Sequence, residues 1–320
     1  MGLQIGSALI ALIASSAIPP AAIAAPLQPG GAWALDYGAT QCTAARTYAT
    51  ASGPVVLGIV PSLSGNSYRL IVNVPRAGPS FARELAGSVD SGQRKLATPL
   101  LYYGSPGVAQ SAYEARIPFT QLQQAGASGL VTLNVTDGDS YSFAVPDMPA
   151  LLDSLAKCTA DLQQYWNLNA PAVTTAAAPA NGDIAAFITR SDYPTEATRR
   201  QEMRGKVQYQ VMVDEKGAVA GCDVLASSGI PTVDTTGCDV IKQQARFTPA
   251  RSSSGQAVRS TVTTPLVVWE SRRSDIFDTG CSMVSGNTNE VISMCGREDP
   301  RVLEAPVSTR PSPLPRTPRG

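Results

Sequence analysis

Lys206-Val207-Gln208-Tyr209-Gln210-Val211-Met212-Val213-Asp214-Glu215-Lys216-Gly217 is an alternating run that ends in a turn. Val207, Tyr209, Val211 and Val213 share one face and Gln208, Gln210 and Met212 the other, the period of a strand with one side buried. Gly217 supplies the positive φ of a short hairpin loop, so this strand is expected to pair with the segment just past the turn. The apolar positions of that segment, Val219, Cys222 and Val224, are unevenly spaced, and a bulge near Gly221 would restore their facing. Ser227 to Pro231 reads as a loop, and Pro231, Thr232 and Asp234 as a helix start. Val233, Gly237, Val240 and Ile241 form one helical face, but Thr235, Thr236 and Gly237 are poor helix formers, so that helix needs tertiary support. A second alternating run, Val258 to Val268, contains Pro265, which has no N–H to donate and therefore predicts an edge strand. Ahead of them all, Tyr193 to Arg200 reads as a short helix.

The succession Tyr193-Pro194, Arg199-Arg200, Gly205-Lys206-Val207, Val213 to Gly217, Ser227-Ser228-Gly229, Phe247-Thr248-Pro249-Ala250 and Gly255-Gln256-Ala257-Val258 resembles the C-terminal domain of TonB-family proteins. The resemblance covers residues 183–273. It implies a small α+β domain, a three-stranded antiparallel sheet with two helices, whose task is protein binding. In TonB itself the sheet accepts an extended segment of an outer-membrane transporter as an added strand. The chain departs from that pattern in its short Ala/Pro linker and in lacking a Gln-Pro pair before Tyr193-Pro194.

Composition narrows the function further. The 320 residues carry 25 basic and 25 acidic side chains and no His. A balanced charge gives no field that would attract nucleic acid. The absence of His removes Ser-His, Cys-His and His-metal sites. Neither G-x-S-x-G nor a P-loop is present. We therefore assign no catalytic residue, metal or cofactor, and read the chain as a non-enzymatic protein.

Residues 1–25 read as a secretory signal peptide. Leu3 to Ile18 is almost wholly apolar, Pro19-Pro20 breaks it, and Ala22-Ile23-Ala24 offers a cleavage site. The run is shorter than the roughly 20 residues a membrane span needs, so membrane contact is expected only if this segment is uncleaved. The expected location is the periplasm. An oxidising compartment suits six cysteines, for which 15 connectivities are possible. Nearest pairing within segments joins Cys42 to Cys158, Cys222 to Cys238 and Cys281 to Cys295. A redox or metal role lacks both C-x-x-C spacing and His.

Residues 26–168 read as a β-rich domain closed by a helix. Val55 to Val60, Tyr68 to Val74, Ile117 to Phe119, Leu130 to Val135 and Tyr141 to Val145 are strand-like runs separated by turn residues, the signature of a sandwich or small barrel. Met148 to Trp166 carries Leu151, Leu152, Leu155, Cys158 and Leu162 at helical spacing. The placement of Trp33, Tyr37, Cys42, Arg46, Cys158 and Trp166 resembles the invasion-associated locus B family of exported β-rich proteins, a likeness that carries no function here. Asp137-Gly138-Asp139-Ser140 reads as a hairpin turn, since a calcium loop would need a ligand at its twelfth position. Asn134 to Thr136 fits a glycosylation sequon inside a strand. Asp36, Glu84 and Glu114 read as solvated carboxylates, and Tyr102, Tyr103 and Tyr113 as core or rim aromatics.

Residues 169–182 read as an Ala/Pro linker, 274–299 as a disulfide-bracketed extension, and 300–320 as a disordered Pro/Arg tail. Two functions stand. One is a binding module that docks an extended segment of an outer-membrane or other envelope protein on the edge strand Arg259, Ser260, Thr261, Val262, Thr263 and Thr264, with Val262→Pro as its test. The other is an envelope assembly protein in which this domain makes a homodimer.

Overall fold

The computed structural model describes residues 25–79, 82–105, 107–168, 170, 173–179, 187–188, 192–194 and 204–270, with the backbone of two further strands at 281–285 and 291–295. Residues 1–24, which are all but the last of the segment read as a signal peptide, most of the helix expected at Tyr193 to Arg200, and the segment 300–320 lie outside the described residues.

The first domain is one antiparallel sheet of nine strands. They are β1 (Ala34–Tyr37), β2 (Cys42–Thr50), β3 (Gly53–Pro61), β4 (Ser67–Val74), β5 (Arg83–Ser91), β6 (Arg94–Gly104), β7 (Ser111–Pro118), β8 (Leu130–Val135) and β9 (Ser140–Ala144). Helix α1 (Phe119–Ser128) comes after β7, and α2 (Met148–Tyr165) after β9. The spatial order is β1-β2-β3-β4-β7-β6-β5-β8-β9. In β4, strict alternation sends Tyr68, Leu70, Val72 and Val74 inward, which is how a sheet with one solvated face is read from sequence.

The sheet curls until its ends meet. Leu27 donates to Ser142 O and accepts from the N–H of Ala144 on β9, while Gly30 donates to Thr47 O on β2. Tyr48 and Phe143 then touch inside the closure, ring centroids 4.8 Å apart. Helix α2 buries its expected stripe, Leu151, Leu152, Leu155, Cys158 and Leu162, and is joined to β2 by the Cys42–Cys158 disulfide. Arg46 of β2 is buried, forms a bidentate pair with Asp147 at the start of α2, and stacks on Trp33. The hydrogen bond from Arg46 holds the Asp147 carboxyl below its ordinary range.

Between the domains, β10 (Val173–Thr175) and β11 (Ala178–Pro179) pair with β15 (Ala250–Ser252) and β14 (Phe247–Thr248). Ala177 is buried in the second core. The Ala/Pro stretch read as a linker is thus pinned to the C-terminal domain over these residues, because ladder bonds need only backbone and small side chains let it lie close.

The second sheet is built on β12 (Arg204–Val213). It pairs on one side with β13 (Val219–Ala226) and on the other with β17 (Ser260–Thr263) and β18 (Val267–Glu270). Where three strands were expected there are four, because the run from Val258 to Val268 is split at Pro265. The short β16 (Ala257–Val258) pairs with β15. The bulge expected near Gly221 is present: Met212 faces Gly221 and Val213 faces Val219, leaving Ala220 as the extra residue. Gly217 has φ 81° and a Cβ there would stand 1.9 Å from Phe247 O, so both conformation and space demand glycine.

Helix α3 (Pro231–Gln244) packs on this sheet and is tied to β13 by the Cys222–Cys238 disulfide. Its Gly237 has a packing reason, since a Cβ there would fall 1.7 Å from the Tyr209 hydroxyl. Alanine would gain about 1 kcal/mol of helix propensity, but overpacking a buried ring costs about 1–3 kcal/mol. We expect Gly237→Ala to be net destabilising by about 1 kcal/mol or more; a raised urea midpoint would refute the packing account. Beyond this domain, β19 (Cys281–Ser285) and β20 (Val291–Cys295) pair with Cys281 directly opposite Cys295, the register the third expected disulfide needs; those sulfurs lie outside the described side chains.

Candidate strand-docking edge

The direction of the backbone groups along the middle of β12 follows from the contacts of Val224 and Tyr209. Val224 O on β13 accepts an N–H of Arg116 at 3.4 Å, so Val224 turns its groups away from β12. In an antiparallel pair such residues alternate with those bonded to the neighbour, so Asp223 is bonded to its partner Gln210. Tyr209 and Val211 must then serve the opposite side of β12. Tyr209 does so: its C=O accepts from Thr264 N at 2.9 Å and its N–H donates to Thr264 Oγ1 at 3.0 Å. Val211 faces Val262, which is therefore committed to β12.

By the same alternation Thr261 and Thr263 turn both backbone groups outward. Among the described residues, β17 pairs with β12 alone. The six residues expected to form the docking edge thus divide. Val262 and Thr264 are bonded inward, and Ser260, opposite Val213, is buried. Arg259 is occupied within the chain: its guanidinium lies over the Tyr165 ring and bonds Glu215 at 2.6 Å, and its carbonyl accepts from Asn167 Nδ2 at 2.8 Å. The Arg259 contact lowers the Glu215 carboxyl. What remains open is Thr261 and Thr263. Past Pro265, Leu266 and Val268 leave 56% and 49% of their surfaces exposed on the sheet face that also carries Lys206.

This register alters the proline test. Val262→Pro would delete an N–H that holds β17 to β12, whereas proline at Thr263 deletes an outward one.

The rest of the C-terminal sheet meets the first domain. Glu84 on β5 is buried and accepts from Thr232 N at 2.8 Å and from the Thr232 hydroxyl, at the start of α3. Asp223 accepts from Leu63 N at 2.9 Å, and Met212 joins the first domain's core. Of the carboxylates read as solvated, Asp36 is exposed, Glu114 lies 3.7 Å from Arg69, and Glu84 serves α3 instead, because the fold carries β5 against a helix start that lies 148 residues away. Asp137 to Ser140 forms the expected hairpin turn, with Asp137 at φ 55°. Burial raises the Asp139 carboxyl, but hydrogen bonds from Arg76 and Tyr113 outweigh it and leave it lowered. The sequon residue Asn134 is tied into the sheet by Asp90 and Ser140. Tyr113 is buried and stacks on Tyr102, a core role. Glu84, Arg116, Asp223 and Asn167 carry no local signal in sequence.

No described helix is long and apolar enough to cross a membrane, and no group of three or more potential metal ligands occurs among the described residues. Comparison with curated proteins and with solved structures finds no match. Residues 189–267 match the family model of the Gram-negative bacterial TonB protein C-terminal. That span takes in β12, α3 and the β17 edge, so this quarter of the chain, roughly, is a TonB C-terminal domain, a protein-interaction module of the bacterial envelope.

Proposed function

We propose that this protein binds an extended segment of an outer-membrane or other envelope protein as a strand added to β17, and does so in the periplasm without chemistry of its own. The observation that carries this reading is the pair of outward backbone faces at Thr261 and Thr263, on a strand that has one partner among the described residues. Main-chain bonds to those two residues would hold the guest, and its side chains would cover Leu266 and Val268.

The test is Thr263→Pro in the full chain, titrated calorimetrically with synthetic peptides copying periplasm-facing segments of outer-membrane transporters. Proline removes the outward N–H and leaves the ladder to β12 intact, so the far-ultraviolet spectrum should be that of the parent while peptide affinity falls at least tenfold. Equal affinity in the folded variant excludes strand addition at this edge. The same rim is self-complementary about a two-fold axis. A parent dimer in sedimentation velocity that Thr263→Pro dissolves would assign the edge to a second copy instead.

A further inference from the structure

The C-terminal sheet has a second edge, on β13, and the first domain closes it. Beside β13 runs a cleft of about 580 Å³, walled by Ala220 to Val224 on one side and by Leu63, Tyr103, Glu114 and Arg116 of the first domain on the other. That is within the usual size of a ligand site. Val224 turns its backbone toward this cleft, yet neither group is free. Its C=O accepts from Arg116, and its N–H donates to Asp223 Oδ1 at 2.8 Å. Asp223 is held in place by Leu63 N through its other oxygen and lies 3.7 Å from Arg116. Side chains thus take the positions a guest strand would occupy. Unprotected strand edges are hazards that proteins cover explicitly.

We infer that Arg116 and Asp223 seal the β13 edge, and that one task of the first domain is to leave β17 as the edge on which a strand can add. The inference builds on the proposed function only in taking this sheet to accept strands. At the other end of the sheet Asn167 acts alike, since it occupies the carbonyl of Arg259 and stops a guest from extending past Ser260.

The experiment compares the full-length parent with an Arg116→Ala, Asp223→Ala double variant, titrated calorimetrically with a synthetic peptide of the β12 sequence, an alternating strand with no proline. The parent should bind one peptide and the double variant two. Adding Thr263→Pro to the double variant should return the count to one, the remaining peptide lying at β13. A folded double variant that gains no peptide over the parent overturns the seal. A parent that binds none while the double variant binds one would sink the β17 reading and sustain the seal. Should the double variant fail to fold, Arg116→Met keeps the Asp223 hydrogen bonds to Leu63 N and Val224 N, gives up its ion pair with Asp223 and frees the Val224 carbonyl; it should add a weaker second peptide, and the parent count in that variant overturns the inference.

Discussion

Replacing both Cys42 and Cys158 with alanine is expected to lower the unfolding free energy by about 5 kcal/mol in the chain-entropy account. The two residues are 116 apart in sequence, so the bond closes a long loop, and the penalty on the unfolded chain grows with the logarithm of its length. Among the described residues, the polar ties between the ends of α2 and the β1–β2 region are Arg46–Asp147, the Trp33 indole N–H to Asp147 at 3.3 Å and the Trp166 indole N–H to Ala39 O at 2.8 Å. A loss that size is comparable to the whole stability of many domains. Urea titration followed by tryptophan fluorescence measures it, and an unchanged midpoint would mean that the packed helix holds without its covalent tie. The Cys222–Cys238 bond, with a separation of 16, is worth less, about 3 kcal/mol on the same scale.

Glu84→Ala is expected to cost about 3 kcal/mol and to act on the C-terminal domain although the residue lies in the first. Its carboxylate receives the N–H and the hydroxyl of Thr232, and α3 has no side-chain cap of its own from Ile230. Hydrogen bonds to a charged group contribute about 1.5–3 kcal/mol each, and a negative charge at a helix start adds up to about 1 kcal/mol more. Removing it leaves a buried N–H that water reaches poorly. Hydrogen exchange should show α3 amides losing protection while β2 and β3 keep theirs. Protection lost evenly across both domains would mean that Glu84 supports the first core alone. Glu84→Gln, which keeps an acceptor, should recover part of the loss.

Much of the C-terminal sheet is legible in the sequence because its cues are local. The alternation from Val207 to Val213, the glycine of the hairpin and the proline within the last strand each act over a few residues. What Pro265 does beyond marking an edge is not local. It splits the strand because Thr264 satisfies Tyr209 with both its backbone and its hydroxyl, a choice made by β12. The first domain is legible in its regular strands and in the stripe of α2. It is opaque at β1 and β2, where the inward residues Cys42, Ala44, Arg46 and Tyr48 carry little aliphatic bulk, and at β5 and β6, where Pro99 and a mixture of buried and exposed polar residues erase the alternation. Strands β5 and β6 form because each lies between two neighbours that fill its ladder. Pro265 marks the proposed docking strand as an edge, but which of its residues face outward depends on the pairing of Gln210 with Asp223, and no window of sequence contains both partners' bonding state.

The pairing of Cys222 with Cys238 also gives a mechanical load one covalent route out of the sheet. Tension drawn along a strand lying beside β17 would pass through the ladder into β12 and β13, and from there into the first domain by two routes: directly, where Asp223 meets Leu63 and Arg116 meets Val224, and across the sulfur bridge to α3, whose Thr232 is held by Glu84. The C-terminal sheet is thereby braced against a heavier body, so a tug on a captured segment would strain the sheet's in-line ladders before it could peel the helix away.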